Sequence, residues 1–529
     1  MSFKNLVDYI IVGGGAAGMA LAHQLGRNRQ NRVLVIEAGG SDRYQRYPVP
    51  ARFTVPSAGS QYRYRHSHQE SGAGAAGQGR AVRAIGDSAP VNGMILSREA
   101  DYEAWQAAGI SGWNWPRFSE AFTALERHFG GSTGRTDSDG HRPVEAVDTP
   151  EAASRWWIDA LASQGIDAVE NLHCRGEQSM YLSQSVSNSI RTSGARSLLR
   201  GRARRPNVRV RLHCTAQRIL FDGTTATGVE VKTPRGTVLF TARREIVICA
   251  GTLGSPLLLE RSGVGDPEIL TPAGVHLVAE NPAVGCNLRQ RRGAVLTLRL
   301  NGVQSGDREP ATPAARLRAR LASLLRPAGV QPRGGTAVLA VMSSDRREST
   351  PDMELLFTPL QKPDHDGISS GTGDATVAFY PQTPTSFGSV HITGPTLKDP
   401  PQLVPGYLAT ERDMELTVAA FARTREVLAA EPVASTMAEA FPGPDVEEAA
   451  DVLQFVLDHG FTQKHEVGTC ALGPGGVVDD ELRVHGTHRL RVADASVMPE
   501  LTTGDTEATS MAIGWIAGDI LRNANTHSR

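Results

Sequence analysis

His465 and Asp505, near the C-terminus, are the two side chains whose types and spacing most clearly suggest proton transfer. His465 lies in the run KHEVGTC at 464–470, and Asp505 follows forty residues later in TGDT at 503–506. An imidazole titrates near neutral pH, so His465 is a candidate base for removing a proton from a hydroxyl group. Asp505 either pairs with protonated His465, binds a cationic group, or caps the helix that follows it.

A strand, helix, strand unit at the N-terminus is predicted to position a ligand near these groups. Residues 9–12 and 33–36 are short apolar runs without alternation, which is typical of parallel strands that are buried on both faces. Residues 16–26 between them favour a helix. The unit therefore indicates an α/β fold with a parallel sheet.

The turn between the first strand and this helix reads GGGAAG and fits the dinucleotide fingerprint GxGxxG. The first glycine allows a tight turn, the second lets backbone amides approach a pyrophosphate, and the third permits close helix packing. Helix N-terminal amides then meet the phosphate charge. The expected contacts are Gly13, Gly15, Ala16, Ala17 and Gly18.

Glu37 ends the second predicted strand, nineteen positions after Gly18. A carboxylate at this position accepts hydrogen bonds from a ribose diol and repels a 2′-phosphate. Two later apolar runs also stop at small or polar residues, 246–250 before Gly251 and 490–493 before Asp494. Open α/β sheets bind ligands at such strand ends. A helix is expected to start at Ser255 and Pro256.

Composition excludes several other classes of protein. The chain has 529 residues with 40% hydrophobic and 21% charged residues, which predicts a folded protein of two domains. Its net charge of −1 offers no general field for nucleic acid or an anionic membrane. The five cysteines lack CxxC spacing, so we expect no metal site, no disulfide framework and a reducing compartment. Without a leader or a long apolar run, we expect a cytoplasmic protein with no membrane partner.

Three further segments match the motifs of one known family. Residues 86–94 read GDSAPVNGM, and residues 250–256 read AGTLGSP with SGVG at 262–265. The run from 465 to 520 contains HEVGTC and then LRVADASVMPELTTGDTEATSMAIG. In order and spacing these segments resemble the glucose, methanol and choline (GMC) oxidoreductases, and the resemblance covers 5–300 and 380–522.

The resemblance implies a Rossmann-like FAD-binding domain built from a discontinuous chain, and a smaller α+β substrate domain on an antiparallel sheet. We expect the N-terminal family region, mainly FAD-binding, at 1–300, with room for a substrate-domain insertion near 156–189. The substrate domain is expected mainly at 301–454. The chain then returns to the FAD-binding domain at 455–529, and the C-terminal family region spans about 380–522.

The resemblance also assigns residues to the cofactor. Some family members have a histidine that bonds covalently to FAD immediately before the motif asparagine, but Val91 occupies that position here, which predicts non-covalent FAD. The implied cofactor contacts are Gly86, Asn92, Gly93, Met94, Ala216, Ala250, Gly251, Asp494, Ala495 and Thr506.

The implied reaction is oxidation of a primary or secondary alcohol to a carbonyl compound, with His465 as base and hydride transfer to flavin N5. The reduced cofactor would be reoxidised by O2 or another electron acceptor. Asp505 stands where relatives have His or Asn, and Asp87 and Glu507 add negative charge, so the substrate is hypothesised to carry an amine. A redox-silent lyase that retains FAD, or a non-catalytic flavin-binding protein, remains an alternative. A second departure, Gln290-Arg291 in place of Asp-His, is expected on the adenine side.

Overall fold

The computed structural model describes residues 5–40, 61–66, 78–82, 99–129, 152–168, 179–183, 198, 205–301, 337–348, 350–359, 375–462, 465–504 and 506–526. The predicted contacts Gly86, Asn92, Gly93 and Met94, together with Asp87, Val91 and Asp505, lie outside these residues.

The strands and helices of the described residues alternate along the chain. The strands are β1 Leu6–Val12, β2 Val33–Ile36, β3 Gln61–His66, β4 Gln78–Val82, β5 Asp167–Ala168, β6 Ser179–Ser183, β7 Val208–Arg211, β8 Thr215–Asp222, β9 Thr225–Thr233, β10 Gly236–Ile248, β11 Val264–Gly265, β12 Ala279–Glu280, β13 Arg292–Leu300, β14 Ala337–Met342, β15 Met353–Thr358, β16 Ala375–Pro381, β17 Ser389–His391, β18 Gln402–Val404, β19 Met437–Phe441, β20 Phe461–Thr462 and β21 Leu490–Val492. The helices are α1 Ala16–Leu25, α2 Glu99–Ala107, α3 Trp115–Phe129, α4 Ala152–Ser163, α5 Gly251–Arg261, α6 Pro267–Leu270, α7 Glu411–Leu428, α8 Val433–Thr436, α9 Ala449–His459 and α10 Thr506–Thr526, with a 3₁₀ turn at Ala495–Val497.

The first sheet has the order β7-β2-β1-β10-β9-β8, and β21 also pairs with β10. Its centre is parallel, since β1 runs parallel to both β2 and β10, and β10 runs parallel to β21. The apolar runs of β1 and β2 are buried, as their lack of alternation predicts. Parallel strands bring their carboxyl ends to one edge, so the segments after β1, β2, β10 and β21 meet there.

The second sheet has the order β19-β13-β16-β15-β14-β6-β5, with β20 paired to β13. Its pairs from β6 to β19 are antiparallel. One side packs in a separate core against α4, α7 and α9, where Trp157 stacks on Phe357 with ring centroids 4.9 Å apart. The expected α/β fold with a second, antiparallel sheet is confirmed. The exact domain boundaries stay a prediction.

Helix α10 packs directly against α1 and brings the C-terminal segment to the first sheet. A Cβ added at Gly514 would lie 2.1 Å from the carbonyl oxygen of Ala17, so only glycine permits this approach. The N-terminal turn and the segment before α10 are thereby held in one region.

The expected start of α5 at Ser255 and Pro256 is wrong, because the helix begins at Gly251 and contains Pro256. A proline inside a helix has no N–H for the carbonyl four residues earlier, here that of Thr252. That carbonyl instead accepts the Thr469 hydroxyl at 2.5 Å. The irregularity of α5 thus becomes an attachment point for the segment that carries His465.

Candidate active site

The turn between β1 and α1 is as tight as the dinucleotide fingerprint requires. Gly13 has φ +114°, and a Cβ there would lie 1.9 Å from the carbonyl oxygen of Cys249. A Cβ at Gly18 would lie 2.1 Å from the carbonyl oxygen of Gly13. Side chains at either position would therefore separate β1, α1 and the end of β10. The glycines keep backbone within reach of a ligand at this edge.

Glu37 locks the same turn through both of its carboxylate oxygens. Oε2 accepts a hydrogen bond from the Gly14 amide at 2.7 Å, and Oε1 accepts one from the Gly39 amide at 2.6 Å. No side-chain hydrogen bond from the described residues caps the N-terminus of α1 at Gly15, and its first turn is free of acidic residues. This combination of an open helix N-terminus and a carboxylate after β2 fits a dinucleotide such as FAD.

Ala216 lies beside this region because the chain after β7 pairs with the chain after β2. The Cys214 amide donates to the carbonyl of Glu37 at 2.9 Å, and the His213 amide donates to that of Gly39 at 3.0 Å. Ala216 follows on β8 and is buried. Its contact with the adenine remains a prediction that this placement supports.

Asp494 joins the end of β21 to the start of α5. Its Oδ2 accepts the Gly251 amide at 2.9 Å and the Ser255 hydroxyl at 2.6 Å, and its Oδ1 accepts the Ser496 amide at 2.8 Å. Burial raises the pKa of Asp494, while these hydrogen bonds lower it. The carboxylate is thus used to hold Ala250 and Gly251 next to Ala495, which leaves cofactor contact in this region to backbone groups.

The segment that carries His465 is fixed on two sides. Arg289 and Val467 exchange backbone hydrogen bonds of 3.0 Å, so the segment runs antiparallel to the chain before β13. The Thr252 hydroxyl donates to the carbonyl of Glu466 at 2.5 Å, and the Thr469 hydroxyl donates to the carbonyl of Thr252 at 2.5 Å. These reciprocal bonds, here called the threonine clamp, hold His465 at the first turn of α5.

His465 is 7% exposed, and its environment keeps the imidazole neutral. Burial disfavours the charged ring, and the nearby Arg291 cation disfavours it further. Together they lower the pKa of His465 to about 3. A neutral imidazole has a nitrogen that can accept a proton at physiological pH, as a general base must.

Arg291 lies beside His465, so its expected position on the adenine side is wrong. Its Nε donates to the carbonyl of Gln382 at 3.0 Å, and its Nη2 donates to the carbonyl of Thr502. Its Nη1 is 3.9 Å from Oε2 of the buried Glu354. The physical reason is strand pairing: β13 and β16 are antiparallel, which places the residue before β13 opposite the residue after β16.

Polar side-chain atoms that lack a partner among the described residues surround this arginine. They are Nε2 of Gln290, Nε2 and Oε1 of Gln382, and Oγ1 of Thr502. All three residues are buried, and buried polar groups are normally hydrogen-bonded. The region next to His465 can therefore offer both donors and acceptors to a polar ligand.

The start of α10 lies close to this region. The Thr503 amide and hydroxyl donate to Oδ2 of Asp101 at 3.0 and 2.9 Å, and fix the chain just before the helix. Thr506 is buried at the first position of α10, and Glu507 follows in the first turn. Asp505 lies outside the described residues, so its proximity to His465 stays a prediction.

The described residues contain no group of three or more His, Cys, Asp or Glu side chains that could hold a metal ion. Among the helices in the described ranges, none is long and apolar enough to cross a membrane.

A Rossmann-like sheet with a fingerprint turn, joined to a second sheet at a buried histidine, defines a dinucleotide-dependent protein of the oxidoreductase class. Family models described as GMC oxidoreductase match residues 7–292 and 384–514. The chain belongs to the GMC oxidoreductase family, and the expected resemblance and enzyme class are confirmed. Enzymes of this family bind FAD.

Individual relatives cover the chain almost completely. An oxygen-dependent choline dehydrogenase of Rhizobium etli is 29% identical over 97% of this chain and 95% of its own length. The crystal structure of pyridoxine 4-oxidase from Mesorbium loti is similar with 28% identity, a TM-score of 0.81, and coverage of 98% of this chain and 99% of that one. Formate oxidase from Aspergillus oryzae, at 20% identity, TM-score 0.82 and full coverage of both chains, shows the same fold.

Sequence reasoning missed several residues that shape the site. Thr252 and Thr469 carry no signal of their own, because a threonine in a helix or turn is common. Arg291 was noticed as a departure from the family pattern, and that departure was the usable signal. Its neighbours Glu354, Gln382 and Thr502 come from distant parts of the chain, so only the folded structure identifies them.

Proposed function

We propose that the protein oxidises a primary or secondary alcohol to a carbonyl compound, with FAD as the redox cofactor and His465 as the base. The observation that carries this proposal is the buried, neutral imidazole of His465, held by the threonine clamp beside the fixed cation of Arg291. FAD, when bound, supplies the acceptor for the hydride that leaves the carbinol carbon.

The protein's own part in this reaction begins with binding and orienting the alcohol. A ring nitrogen of His465 would accept the hydroxyl proton, which makes hydride loss from the same carbon easier. Removal of that proton leaves negative charge on the substrate oxygen. Arg291, whose guanidinium lies in electrostatic range of His465, is a preorganised positive charge that would favour this state.

Arg291 also explains how the base returns to its starting form. The protonated imidazole that forms in the reaction is buried and faces a cation, so it is unstable and gives up its proton readily. Glu354 balances part of the arginine charge at 3.9 Å. His465 is therefore suited to one proton transfer per cycle with rapid recovery of the neutral ring.

Two finer features belong to the same proposal. FAD is held without a covalent bond, because Val91 replaces the histidine that some family members attach to the cofactor. Denaturing the protein in acid should release all yellow flavin into the supernatant. The electron acceptor is O2 or another small molecule, and the expected location is cytoplasmic, which cell fractionation would test.

The substrate is proposed to be an alcohol that also carries a nitrogen base. Glu507 in the first turn of α10, with Asp505 and Asp87 in the sequence, would place negative charge near the reacting carbon. Relatives named for choline and pyridoxine support this class, since both compounds carry nitrogen and a hydroxyl group. Amino alcohols and hydroxymethyl pyridines are therefore the first compounds to test.

The deciding experiment mixes purified, FAD-loaded protein with a panel of nitrogen-bearing and neutral alcohols without oxygen. Bleaching of the flavin absorbance by an alcohol, with the carbonyl product recovered, supports the proposal. Substrate turnover without bleaching would instead indicate the lyase reaction, and no response with any compound would remove the proposal. Dye reduction and peroxide release, measured in parallel, identify the acceptor.

The amine hypothesis has a separate test. The native protein and Asp505→Asn are compared for the ratio of rates on amine-bearing and neutral alcohols. A preference for amines that falls in Asp505→Asn supports a charge contact. An equal preference in both proteins would remove the amine contact and leave the alcohol oxidation itself untouched.

A further inference from the structure

Cys286 differs from the other cysteines in the described part of the chain. Cys214, Cys249 and Cys470 are buried, whereas Cys286 is partly exposed in the segment between α6 and β13. None of the described cysteines forms a disulfide. Cys286 is therefore the described thiol that a small reagent in solution reaches most easily.

The thiol belongs to a cluster with His391 and Glu260. The Nδ1 of His391 is 2.7 Å from Oε1 of Glu260, and the thiol of Cys286 forms a side-chain hydrogen bond with the same imidazole. The Glu260 side chain is fully buried, and its Oε2 accepts the backbone amide of Ile392 at 2.8 Å. The order thiol, imidazole, buried carboxylate is the arrangement that activates nucleophiles.

The backbone holds the imidazole over the loop that carries the thiol. The Val390 amide donates to the carbonyl of Gly285 at 2.8 Å. A Cβ at Gly285 would lie 2.8 Å from Cε1 of His391, so the glycine leaves room for the ring directly beside Cys286. The cluster is thus built from three separate elements, which are α5, the loop before β13, and β17.

The charges in the cluster favour a cationic imidazole. Burial by itself lowers the pKa of His391, but hydrogen bonds to Cys286 and Glu260 outweigh it and raise the pKa to about 9. Burial raises the pKa of Glu260, and its bonds to His391 and Ile392, with the charge of Arg261, act in the opposite direction. One contact works against a thiolate, since the thiol also donates to the carbonyl of Pro282 at 3.4 Å.

We propose that Cys286 is a reactive thiol, activated by the His391–Glu260 pair, that hydrogen peroxide oxidises to a sulfenic acid. The sulfur attacks one peroxide oxygen, and the S–O bond forms as the O–O bond breaks. The leaving hydroxide takes the proton that the His391 imidazolium donates and departs as water. Sulfur loses the two electrons that the peroxide gains. The cluster lies outside the proposed active site, so this chemistry is independent of the alcohol oxidation.

The test measures modification of individual cysteines in FAD-loaded, full-length protein by peptide mass spectrometry. The native protein, His391→Asn and Cys286→Ser are treated with iodoacetamide, or with peroxide followed by dimedone. Because a thiolate partner is lost, Cys286 should react about tenfold more slowly in His391→Asn. His485→Asn removes an exposed histidine elsewhere and should change nothing.

The pH dependence of the native protein provides a second measurement that needs no variant. An ordinary thiol loses roughly fiftyfold in labelling rate between pH 8.5 and 6.5, because its thiolate fraction falls. Cys286 should lose only a few-fold over this range. An ordinary thiol profile at Cys286, or equal rates in native protein and His391→Asn, would overturn the proposal. The absence of a dimedone adduct on Cys286 after peroxide would overturn the sulfenic acid step.

Discussion

The guanidinium of Arg291 lies beside the imidazole of His465, close enough to lower the pKa of that ring in addition to the effect of burial. Arg291 is fixed there by the carbonyls of Gln382 and Thr502, which belong to different parts of the chain. A cation and a base are thus held together at the junction of the two sheets. The first prediction concerns this pair.

Replacing Arg291 by Gln should move the acid limb of the reaction to higher pH. Without the cation, the pKa of His465 rises from about 3 towards its ordinary value, so the base becomes protonated at a higher pH. In the native protein, kcat/KM should stay level down to about pH 5. Arg291→Lys should keep the native profile because it keeps the charge.

Arg292→Gln is the matched control for that comparison. Arg292 also donates to backbone carbonyls, those of Val456 and Leu457, but it does not contribute to the pKa shift of His465. Its pH profile should remain native. An acid limb that shifts equally in Arg291→Gln and Arg292→Gln would show that general loosening, and not the local charge, controls the base.

His465→Gln should reduce the rate of flavin reduction by about 10²- to 10⁴-fold, which is the usual contribution of a positioned base. FAD should remain bound, because the fingerprint turn and Glu37 lie on other elements. Anaerobic stopped-flow absorbance measures the rate, and the flavin to protein ratio measures retention. A variant that keeps its FAD and reduces it at the native rate would exclude His465 as the base.

The same histidine should make stability depend on pH. Its pKa is about 3 in the folded protein, below the ordinary value near 6.5 of the unfolded chain. The unfolded state therefore binds the proton first, and stability is lost as pH falls from about 6.5 towards 3. Urea unfolding at pH 7 and pH 5 should show a smaller loss in His465→Gln than in native protein. His485→Gln, at an exposed site, should behave as the native protein does.

The threonine clamp gives a prediction about Pro256. In Thr469→Val the carbonyl of Thr252 loses its donor, which should lower the free energy of unfolding by about 1 kcal/mol. Pro256→Ala restores an N–H four residues after Thr252. The loss caused by Thr469→Val should therefore be smaller in the Pro256→Ala background, and a double-mutant cycle by urea unfolding measures the difference. Strictly additive effects would mean that the two donors do not share this carbonyl.

Glu37→Ala should weaken FAD binding by about tenfold or more, because the amides of Gly14 and Gly39 lose their acceptor and the fingerprint turn loosens. Flavin fluorescence during titration of the apoprotein measures the dissociation constant. Glu447→Ala removes an exposed carboxylate elsewhere and serves as control. Unchanged binding in Glu37→Ala would contradict the assigned position of the cofactor.

Local patterns in the sequence determined the dinucleotide-binding half of the protein. Two apolar runs around GGGAAG identify β1, α1 and β2, because period, turn chemistry and length are properties of neighbouring residues. Glu37 follows from its distance to Gly18. The motif around His465 was readable as a family resemblance, although the neutral state of the ring was not.

Tertiary structure alone decided what surrounds the base. Strand pairing places Arg291 next to His465, Thr469 meets Thr252 across 217 residues of chain, and Glu260 meets His391 across 131. These contacts depend on register and on the path of distant segments, which leave no periodic signal in the sequence. Burial and neighbouring charge set the pKa values of His465 and His391 in opposite directions, and both are properties of the folded surroundings.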